Sequence, residues 1–185
     1  MPWPSYIKNA FEIITAGATH EYLFYGPYNT LLNFLFPAEE GYLMSAWFRR
    51  PHDGWPVDFT NAFLVLKSSH PVFFIQVKLP GDYESCSARA SADEQMRMCF
   101  FDLADDIKLP VLYGASALGT RLRFYTYRST NKLLSPHLIP EDSEANGSDV
   151  APAELWNLDL FSDEGYTRVM QIVNEVKAMV CQHSL

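Results

Sequence analysis

The sequence predicts one α/β domain of the α+β type, in which helices flank a central mixed sheet of about five strands. Its 185 residues, 48% of them hydrophobic, suffice for one sizeable core but not for two. Aromatic residues make up 15% of the chain, which favours strands over a plain helical bundle. We therefore expect a single domain over residues 1–185, in the order helix, helix, three strands, helix, two strands and a closing helix.

Two helices are predicted near the start of the chain. Ser5 is a suitable cap for a helix from Tyr6 to Thr15, which Gly17 would end. A second helix follows Pro27, because apolar residues recur at three- and four-residue spacing until Pro37 ends it. Both helices are expected to pack across the sheet.

Three consecutive strands are predicted next. Residues rich in β-branched and aromatic side chains lie at Tyr42–Phe48, Asp58–Leu66 and Pro71–Lys78, with turn residues between them. The third segment is almost continuously apolar until its end, as in a central strand that is covered on both faces. The three strands should form an antiparallel meander.

A further helix and two more strands follow. The capping-box pattern from Ser91 to Glu94 predicts a helix N-terminus, and this helix should run to about Asp106. Strands are predicted near Val111–Tyr113 and Arg121–Tyr127, joined by residues 114–119. Ser116, in that connection, is interpreted as a turn residue, since the sequence around it lacks the second glycine of a nucleophile elbow.

The last part of the chain combines a polar segment with a helix. Residues 129–157 are rich in Ser, Pro, Asn, Asp and Glu, which predicts a long surface excursion. A closing helix should run from its cap, Ser162, to about Gln182, because Val and Ile residues recur on one face. We expect this helix to dock on the sheet.

Charge and cysteine content restrict the classes of partner and compartment. The net charge of −8 and a pI of about 5.0 oppose general attraction of nucleic acid, so any such contact requires a local basic patch. The candidate residues for that patch are Arg49, Arg50, Lys67, Lys78, Arg89, Arg97, Arg121 and Arg123. Three cysteines without a CxxC pair fit an intracellular, cytoplasmic or nuclear location. No leader, membrane span or nucleotide-binding fingerprint is seen, so neither a membrane nor a nucleotide cofactor is expected.

Polar residues at the end of the third strand are the candidate site. Gln76 and Lys78 are two residues apart and must project from the same face of that strand. Asp58 begins the preceding strand. A hairpin between the two strands would place Asp58 beside Gln76 and Lys78.

This arrangement resembles the PD-(D/E)XK superfamily of restriction-endonuclease-like proteins. The resemblance implies a metal-dependent nuclease, a phosphodiester hydrolase, with Asp58, Gln76 and the carbonyl group of Val77 as ligands of Mg²⁺ or Mn²⁺. It also implies that Lys78 orients the attacking water and stabilises the charge of the phosphorane. Hard oxygen ligands suit these cations.

A wider stretch, about residues 56–181, looks like a family of uncharacterised fungal proteins that are grouped with the nuclease-like fold. Its landmarks in this chain are Pro71–Phe74, Ala92–Arg97, Gly119–Arg121 and Glu175–Met179. The resemblance concerns the fold more directly than the activity.

The sequence departs from the superfamily pattern at Gln76, where the pattern usually has Glu. This substitution removes one ligand charge and lowers the expected metal affinity. A third acid from the first helices, Glu12 or Glu21, could compensate. Asp93 and Gln95 occupy places where related nucleases have polar helix residues facing the metal, although a solvated first turn of the helix explains them as well.

Two functions remain open at this point. One is an Mg²⁺- or Mn²⁺-dependent phosphodiesterase acting on DNA or RNA, impaired by Gln76. The alternative is a catalytically inactive protein that keeps the nuclease fold as a binding or scaffold module. The acidic charge favours the second function, and the presence of Asp58 with Lys78 favours the first. The oligomeric state is left open.

Overall fold

A central mixed sheet organises the protein, and four α-helices cover its two faces. The structure is a computed structural model and describes residues 3–15, 18–47, 62–138 and 151–185. The predicted α+β class and the alternation of helices and strands are confirmed within these ranges.

The helices are α1 (Ser5–Thr15), α2 (Tyr25–Leu35), α3 (Cys86–Leu103) and α4 (Asp163–Gln182). The strands are β1 (Tyr42–Trp47), β2 (Ala62–Lys67), β3 (His70–Lys78), β4 (Val111–Leu118), β5 (Arg121–Arg128), β6 (Leu133–Ser135) and β7 (Leu158–Asp159). Short 3₁₀ turns include Glu21–Phe24, Pro80–Glu84 and Ala153–Trp156. None of the helices in the described ranges combines the length and the apolar character needed to cross a membrane.

Among the described strands of the sheet, one pair is parallel. Strands β1, β2 and β3 form the predicted antiparallel meander. Helix α3 then carries the chain back along the sheet, so that β4 pairs with β3 in parallel. Strand β5 is antiparallel to β4, and both β6 and β7 pair with β5. Because β3 is central, its C-terminal end lies between β2 and β4.

The two faces of β3 belong to two different cores, since side chains alternate along a strand. Phe73, Ile75 and Val77 pack with residues of α1, α2 and α4. Phe74 faces the other way and packs against α3, with Phe100 as its nearest ring. Helix α3 therefore covers the face of the sheet on which Gln76 and Lys78 lie.

The start of α3 differs from the sequence prediction. The helix begins at Cys86, and its N-cap is Ser85, whose hydroxyl accepts a hydrogen bond from the backbone N–H of Ala88 at 3.3 Å. Ser91, the predicted cap, lies inside the helix, and its Oγ accepts a hydrogen bond from Gln95 Nε2 at 3.2 Å. The first turns contain small and polar residues, so hydrophobic periodicity did not reveal them.

The predicted connection at 114–119 is also different, because β4 continues to Leu118. Gly114 belongs to the predicted connection, but in the structure it is a strand residue whose lack of a side chain makes room for two aromatic rings. A Cβ atom there would lie 2.7 Å from the ring of Phe74 and 2.9 Å from that of Phe100. Ser116, interpreted as a turn residue, is a fully buried strand residue.

The predicted surface excursion at 129–157 is described at its two ends only. Residues 129–138 include the edge strand β6, and most of them are exposed. At the other end, Ala151 and Trp156 are fully buried. The described sheet has seven strands, whereas about five were predicted. The two additional strands are β6 and β7, which contain only three and two residues. Strands this short carry no detectable period.

Candidate functional site

The candidate site lies at the C-terminal end of β3. Gln76 is completely buried, whereas the Lys78 side chain keeps 18% of its surface exposed. Strand alternation places both side chains on one face of β3, as the sequence predicted. The strand thus carries an amide in the protein interior and an ammonium group at the edge of solvent.

Helix α3 provides a partner for Gln76. Gln76 Nε2 donates a hydrogen bond of 2.6 Å to Gln95 Oε1. Gln76 Oε1 is buried and has no hydrogen-bond partner among the residues that the structure describes. Turning the amide round would exchange the two atoms but would still leave one of them unpaired. A buried polar atom without a partner is costly, and such an atom is commonly satisfied by a water molecule or an ion.

Lys78 has an acidic partner. Its Nζ lies 3.5 Å from Glu21 Oε1, on the 3₁₀ turn between α1 and α2. Asp82 is also close enough to interact electrostatically: burial raises its pKa, the positive charge of Lys78 lowers it, and Glu21 raises it again. We call Glu21, Gln76, Lys78, Asp82 and Gln95 the strand-end site.

A second polar cluster lies beside the strand-end site, under the same helix. Asp93 is 1% exposed, and its carboxylate lies 2.8 Å from Arg97 Nε and 3.1 Å from Arg123 Nη1. Tyr125 donates a hydrogen bond of 2.8 Å to the same carboxylate. The Arg123 contact has the distance of an ion pair, although its angle is not that of a hydrogen bond. We call Asp93, Arg97, Arg123 and Tyr125 the Asp93 network.

Sheet register connects the two clusters. Gln76 pairs with Ser116 on β4, and Ser116 pairs with Arg123 on β5. Trp156 closes this row from outside the sheet. Its Nε1 donates a hydrogen bond of 3.2 Å to Ser116 Oγ, and its ring lies 5.0 Å from the Arg123 guanidinium carbon. The row therefore forms one buried polar layer between the sheet and α3.

The structure brings some of the predicted site residues together and leaves others apart or undescribed. Asp58 lies outside the described residues, so the structure does not locate it relative to Gln76 and Lys78. Gln95 joins Gln76, and Glu21 joins Lys78. Asp93 faces the sheet, but its carboxylate is occupied by the arginines and Tyr125.

Two further predicted residues lie away from the polar layer. Glu12 is exposed on α1, and within the described residues it makes no contact with the strand-end site. The Val77 side chain belongs to the core on the opposite face of the sheet, so only its carbonyl group could serve as a ligand. Neither side chain joins Gln76 and Lys78.

The described residues offer few ligands for a divalent cation. Within the described ranges, no group of three or more His, Cys, Asp or Glu side chains lies close enough to hold a metal ion. The strand-end site does contain the unpaired amide oxygen of Gln76, which is a hard ligand of the kind that Mg²⁺ and Mn²⁺ accept. A cation bound there would also need a charged ligand, and Asp58, the residue expected to supply it, lies outside the described residues.

The residues of the predicted basic patch mostly serve internal contacts. Arg89 and Arg123 are 3% and 6% exposed, so neither can contribute to an open basic surface. Arg89 Nε donates a hydrogen bond to the carbonyl of Ala151, and Arg97 binds Asp93. Lys67 donates a hydrogen bond to the carbonyl of Glu40, and Lys78 pairs with Glu21. Arg121 is exposed and lies over the Tyr83 ring. Arg49 and Arg50 lie outside the described residues.

Sequence reasoning missed Ser116, Tyr125 and Trp156 as members of the polar layer. Tyr125 follows Arg123 by two residues, so alternation along β5 could have placed them on one face. Trp156 had no such signal, because it lies in the polar segment predicted to be a surface excursion.

Comparisons with known proteins add no relative. A scan against models of protein families found no match, and searches of curated proteins and of solved structures found none either. The functional interpretation therefore depends on the residues of this chain.

Proposed function

We propose that the protein is a metal-dependent phosphodiesterase of the nuclease type, and that the strand-end site is its catalytic centre. The observation that carries this proposal is the buried, unpaired Oε1 of Gln76, two residues before the partly exposed Lys78. An oxygen ligand and an ammonium group on one face of a strand are a combination that metal-assisted hydrolysis of a phosphodiester can use.

The element order supports a restriction-endonuclease-like core. A helix precedes a three-strand meander, and a crossover helix leads to a strand parallel to the third. This is the order that the resemblance to the PD-(D/E)XK superfamily implies. In that arrangement the end of β3 and the start of β2 lie side by side, and Ala62 of β2 pairs with Gln76. Asp58 precedes Ala62 by four residues in the sequence.

Each residue then has a chemical role. Asp58, the amide oxygen of Gln76 and the carbonyl of Val77 would hold Mg²⁺ or Mn²⁺, whose chemistry is to make a bound water nucleophilic near neutral pH. Lys78 would donate hydrogen bonds to the attacking water and to the phosphate oxygens. Glu21 keeps the ammonium group of Lys78 in position, and Gln95 keeps the Gln76 amide in one orientation.

Calorimetric titration with Mn²⁺ tests the site, together with cleavage assays on single- and double-stranded DNA and RNA. We expect Gln76→Glu to raise Mn²⁺ affinity by about an order of magnitude, because affinity in such sites increases with the number of charged ligands. Asp58→Ala should abolish binding, and Lys78→Ala should abolish cleavage while Mn²⁺ still binds. Glu94→Gln is a matched control, since Glu94 is exposed on the same helix as Gln95.

Failure would have a clear form. If wild type and Gln76→Glu bind no Mn²⁺ and cut none of the four substrates, the strand-end site is not a metal centre. Binding that is unchanged in Asp58→Ala would contradict the ligand assignment in the same way.

A binding module with an inactive nuclease fold is the second candidate, and a specific observation favours it. Arg89, Arg97 and Arg123, three of the cations expected to contact phosphates, are used inside the protein. The neutral Gln76 also removes a ligand charge. If no variant cleaves nucleic acid or binds Mn²⁺, this second function is the one to pursue.

A further inference from the structure

Two stacked aromatic rings flank Glu21, the acidic partner of the candidate catalytic lysine. The rings of His20 and Tyr22 are stacked, with centroids 5.3 Å apart and planes only 13° from parallel. Tyr22 is 60% exposed and His20 is exposed as well. Since the two rings are exposed and stack on each other, an outer ring face is open to solvent. We call His20 and Tyr22 the aromatic pair.

The location of the aromatic pair is its most informative property. Glu21 stands between the two residues in the sequence, and its carboxylate lies 3.5 Å from Lys78 Nζ. The pair is thus joined, through one residue, to the ammonium group that would contact the phosphate. The aromatic pair therefore stands on the same short turn as the carboxylate that contacts Lys78. In nucleic acid, a phosphate and its neighbouring base are separated by a single sugar.

We propose that the aromatic pair binds an unpaired nucleobase, and that the substrate of the strand-end site is a single-stranded nucleic acid. This inference rests on the proposed function, since it assigns the class of substrate to the same site. Aromatic side chains stack on all four bases, because every base has a π-face, so this contact does not require a particular sequence.

The charge of the protein disfavours a duplex more than a single strand, because stacking supplies part of the affinity for a single strand. Duplex binding depends mainly on phosphate contacts by exposed Lys and Arg. This chain has a net charge of −8, and Glu21 and Asp82 lie beside Lys78. Stacking does not need a positive surface. It does need an accessible base face, which a paired and stacked duplex withholds.

Another exposed aromatic side chain provides a matched control. Phe101 is 80% exposed, on α3. It lies toward the end of α3 that is followed by Asp106, whose carbonyl contacts His70 at the start of β3. Phe101 is consequently at the opposite end of β3 from Lys78.

The test measures fluorescence anisotropy of labelled oligothymidylate, oligouridylate and a duplex of the same length, in EDTA so that no cleavage occurs. We expect both single strands to bind more tightly than the duplex. Tyr22→Ala should weaken single-strand binding about tenfold, whereas Tyr22→Phe, which keeps the ring, and Phe101→Ala should bind as wild type does. The two single-stranded probes also show whether the substrate is DNA or RNA.

Several results would overturn the inference: equal or tighter binding of the duplex, no binding of either single strand, unchanged binding by Tyr22→Ala, or an equal loss in Phe101→Ala. Cleavage in Mn²⁺ is measured separately. Single-strand binding that depends on Tyr22 without any cleavage by wild type would support the stacking surface and contradict the proposed nuclease. Cleavage that is equal in wild type and Tyr22→Ala at low substrate concentration would support the nuclease and overturn the stacking surface.

Discussion

Asp93 is the buried carboxylate on which the polar layer depends. It compensates the charge of Arg123, which is 6% exposed and cannot obtain water instead. Removing one partner of a buried ion pair leaves the other charge unpaired, and this costs more than the pair contributes. Asp93 therefore stabilises the protein mainly because its loss would leave the buried Arg123 charge unpaired.

Replacing Asp93 by Asn should destabilise the protein strongly. Asn keeps the shape and an acceptor for Tyr125 but loses the negative charge, so we expect the free energy of unfolding to fall by about 3–5 kcal/mol. Urea denaturation followed by circular dichroism measures the change. The control is Glu94→Gln, which removes the same charge from an exposed position on the same helix and should change stability by less than about 0.5 kcal/mol. Equal stability of the two variants would contradict an ion-pair role for Asp93.

The pair of Tyr113 and Glu175 joins β4 to α4 and is sensitive to pH. The Tyr113 hydroxyl donates a hydrogen bond to Glu175 Oε2. That hydrogen bond lowers the pKa of Glu175 from 4.5, against the effect of burial, and Gln171 and Arg168 lower it further. Burial, and then the contact with Glu175, raise the pKa of Tyr113 to about 12. The folded protein therefore favours an ionised Glu175 and a neutral Tyr113.

Tyr113→Phe should reveal this pH dependence. Because the folded-state pKa of Glu175 is lowered, its contribution is present above pH 4.5 and is lost as the pH falls through the lowered value. We expect the free energy of unfolding of wild type to exceed that of Tyr113→Phe by about 1 kcal/mol at neutral pH. This difference should shrink under acid conditions. It should shrink again from pH 10 toward 12, as Tyr113 ionises. Denaturant midpoints of both proteins across this range test the prediction, with Tyr6→Phe, at an exposed tyrosine, as control.

At the scale of elements, α3 has an N-terminus that two different serines could explain. The structure places the cap at Ser85 and puts Ser91 inside the helix. Capping satisfies an N–H group that has no partner within the helix, so a cap contributes more to stability than an exposed serine in the helix interior.

The matched substitutions Ser85→Ala and Ser91→Ala distinguish these positions. Ser85→Ala should lower the free energy of unfolding by about 1 kcal/mol, because the backbone N–H of Ala88 loses its acceptor. Ser91→Ala should stay within about 0.5 kcal/mol of wild type, since Ala is the better helix former and the lost contact with Gln95 is on the surface. Chemical denaturation measures both. The opposite order would mean that the helix begins near residue 91.

Helix α4 shows which elements the sequence could predict. Its cap, Ser162, was predicted from residue type and its apolar face from periodicity, and the predicted bounds agree with the structure. The start of α3 could not be found this way, because a second capping pattern lay within the helix. The extension of β4 was hidden by Gly114, whose small size accommodates the rings of Phe74 and Phe100. Prediction thus succeeded where local pattern and packing agree.

The candidate site was predictable to the same extent. Alternation along β3 placed Gln76 and Lys78 on one face. Whether Gln95 faces this site or the solvent was left open, and the structure joins it to Gln76. The partners of Asp93 were not predictable, since Arg123 and Tyr125 become its neighbours only through the pairing of β4 with β5. Contacts between residues distant in sequence depend on strand register, which a single sequence specifies weakly.

At the scale of the whole molecule, the sheet is shared by two cores. The larger core joins α1, α2 and α4 to one face, and the smaller joins α3 to the other. Successive residues of β3 enter the two cores in turn. Trp3 also links the ends of the chain, because its Nε1 donates a hydrogen bond of 2.8 Å to the carbonyl of Leu160. Loss of either core would remove the support of β3, so the domain should unfold as one cooperative unit.

Phe100→Leu tests this cooperativity from the smaller core. Phe100 is 1% exposed and contacts the Phe74 ring edge-on at 4.7 Å, so we expect a loss of about 1–2 kcal/mol in the free energy of unfolding. Hydrogen exchange by mass spectrometry should show an equal loss of protection for the slowest amides of α3 and of α4, although α4 lies on the opposite face. Phe101→Leu changes the adjacent residue, which is 80% exposed, and should leave both helices unaffected. Faster exchange confined to α3 in Phe100→Leu would mean that the two faces open independently, and that the strand-end site can lose its helix while the rest of the fold persists.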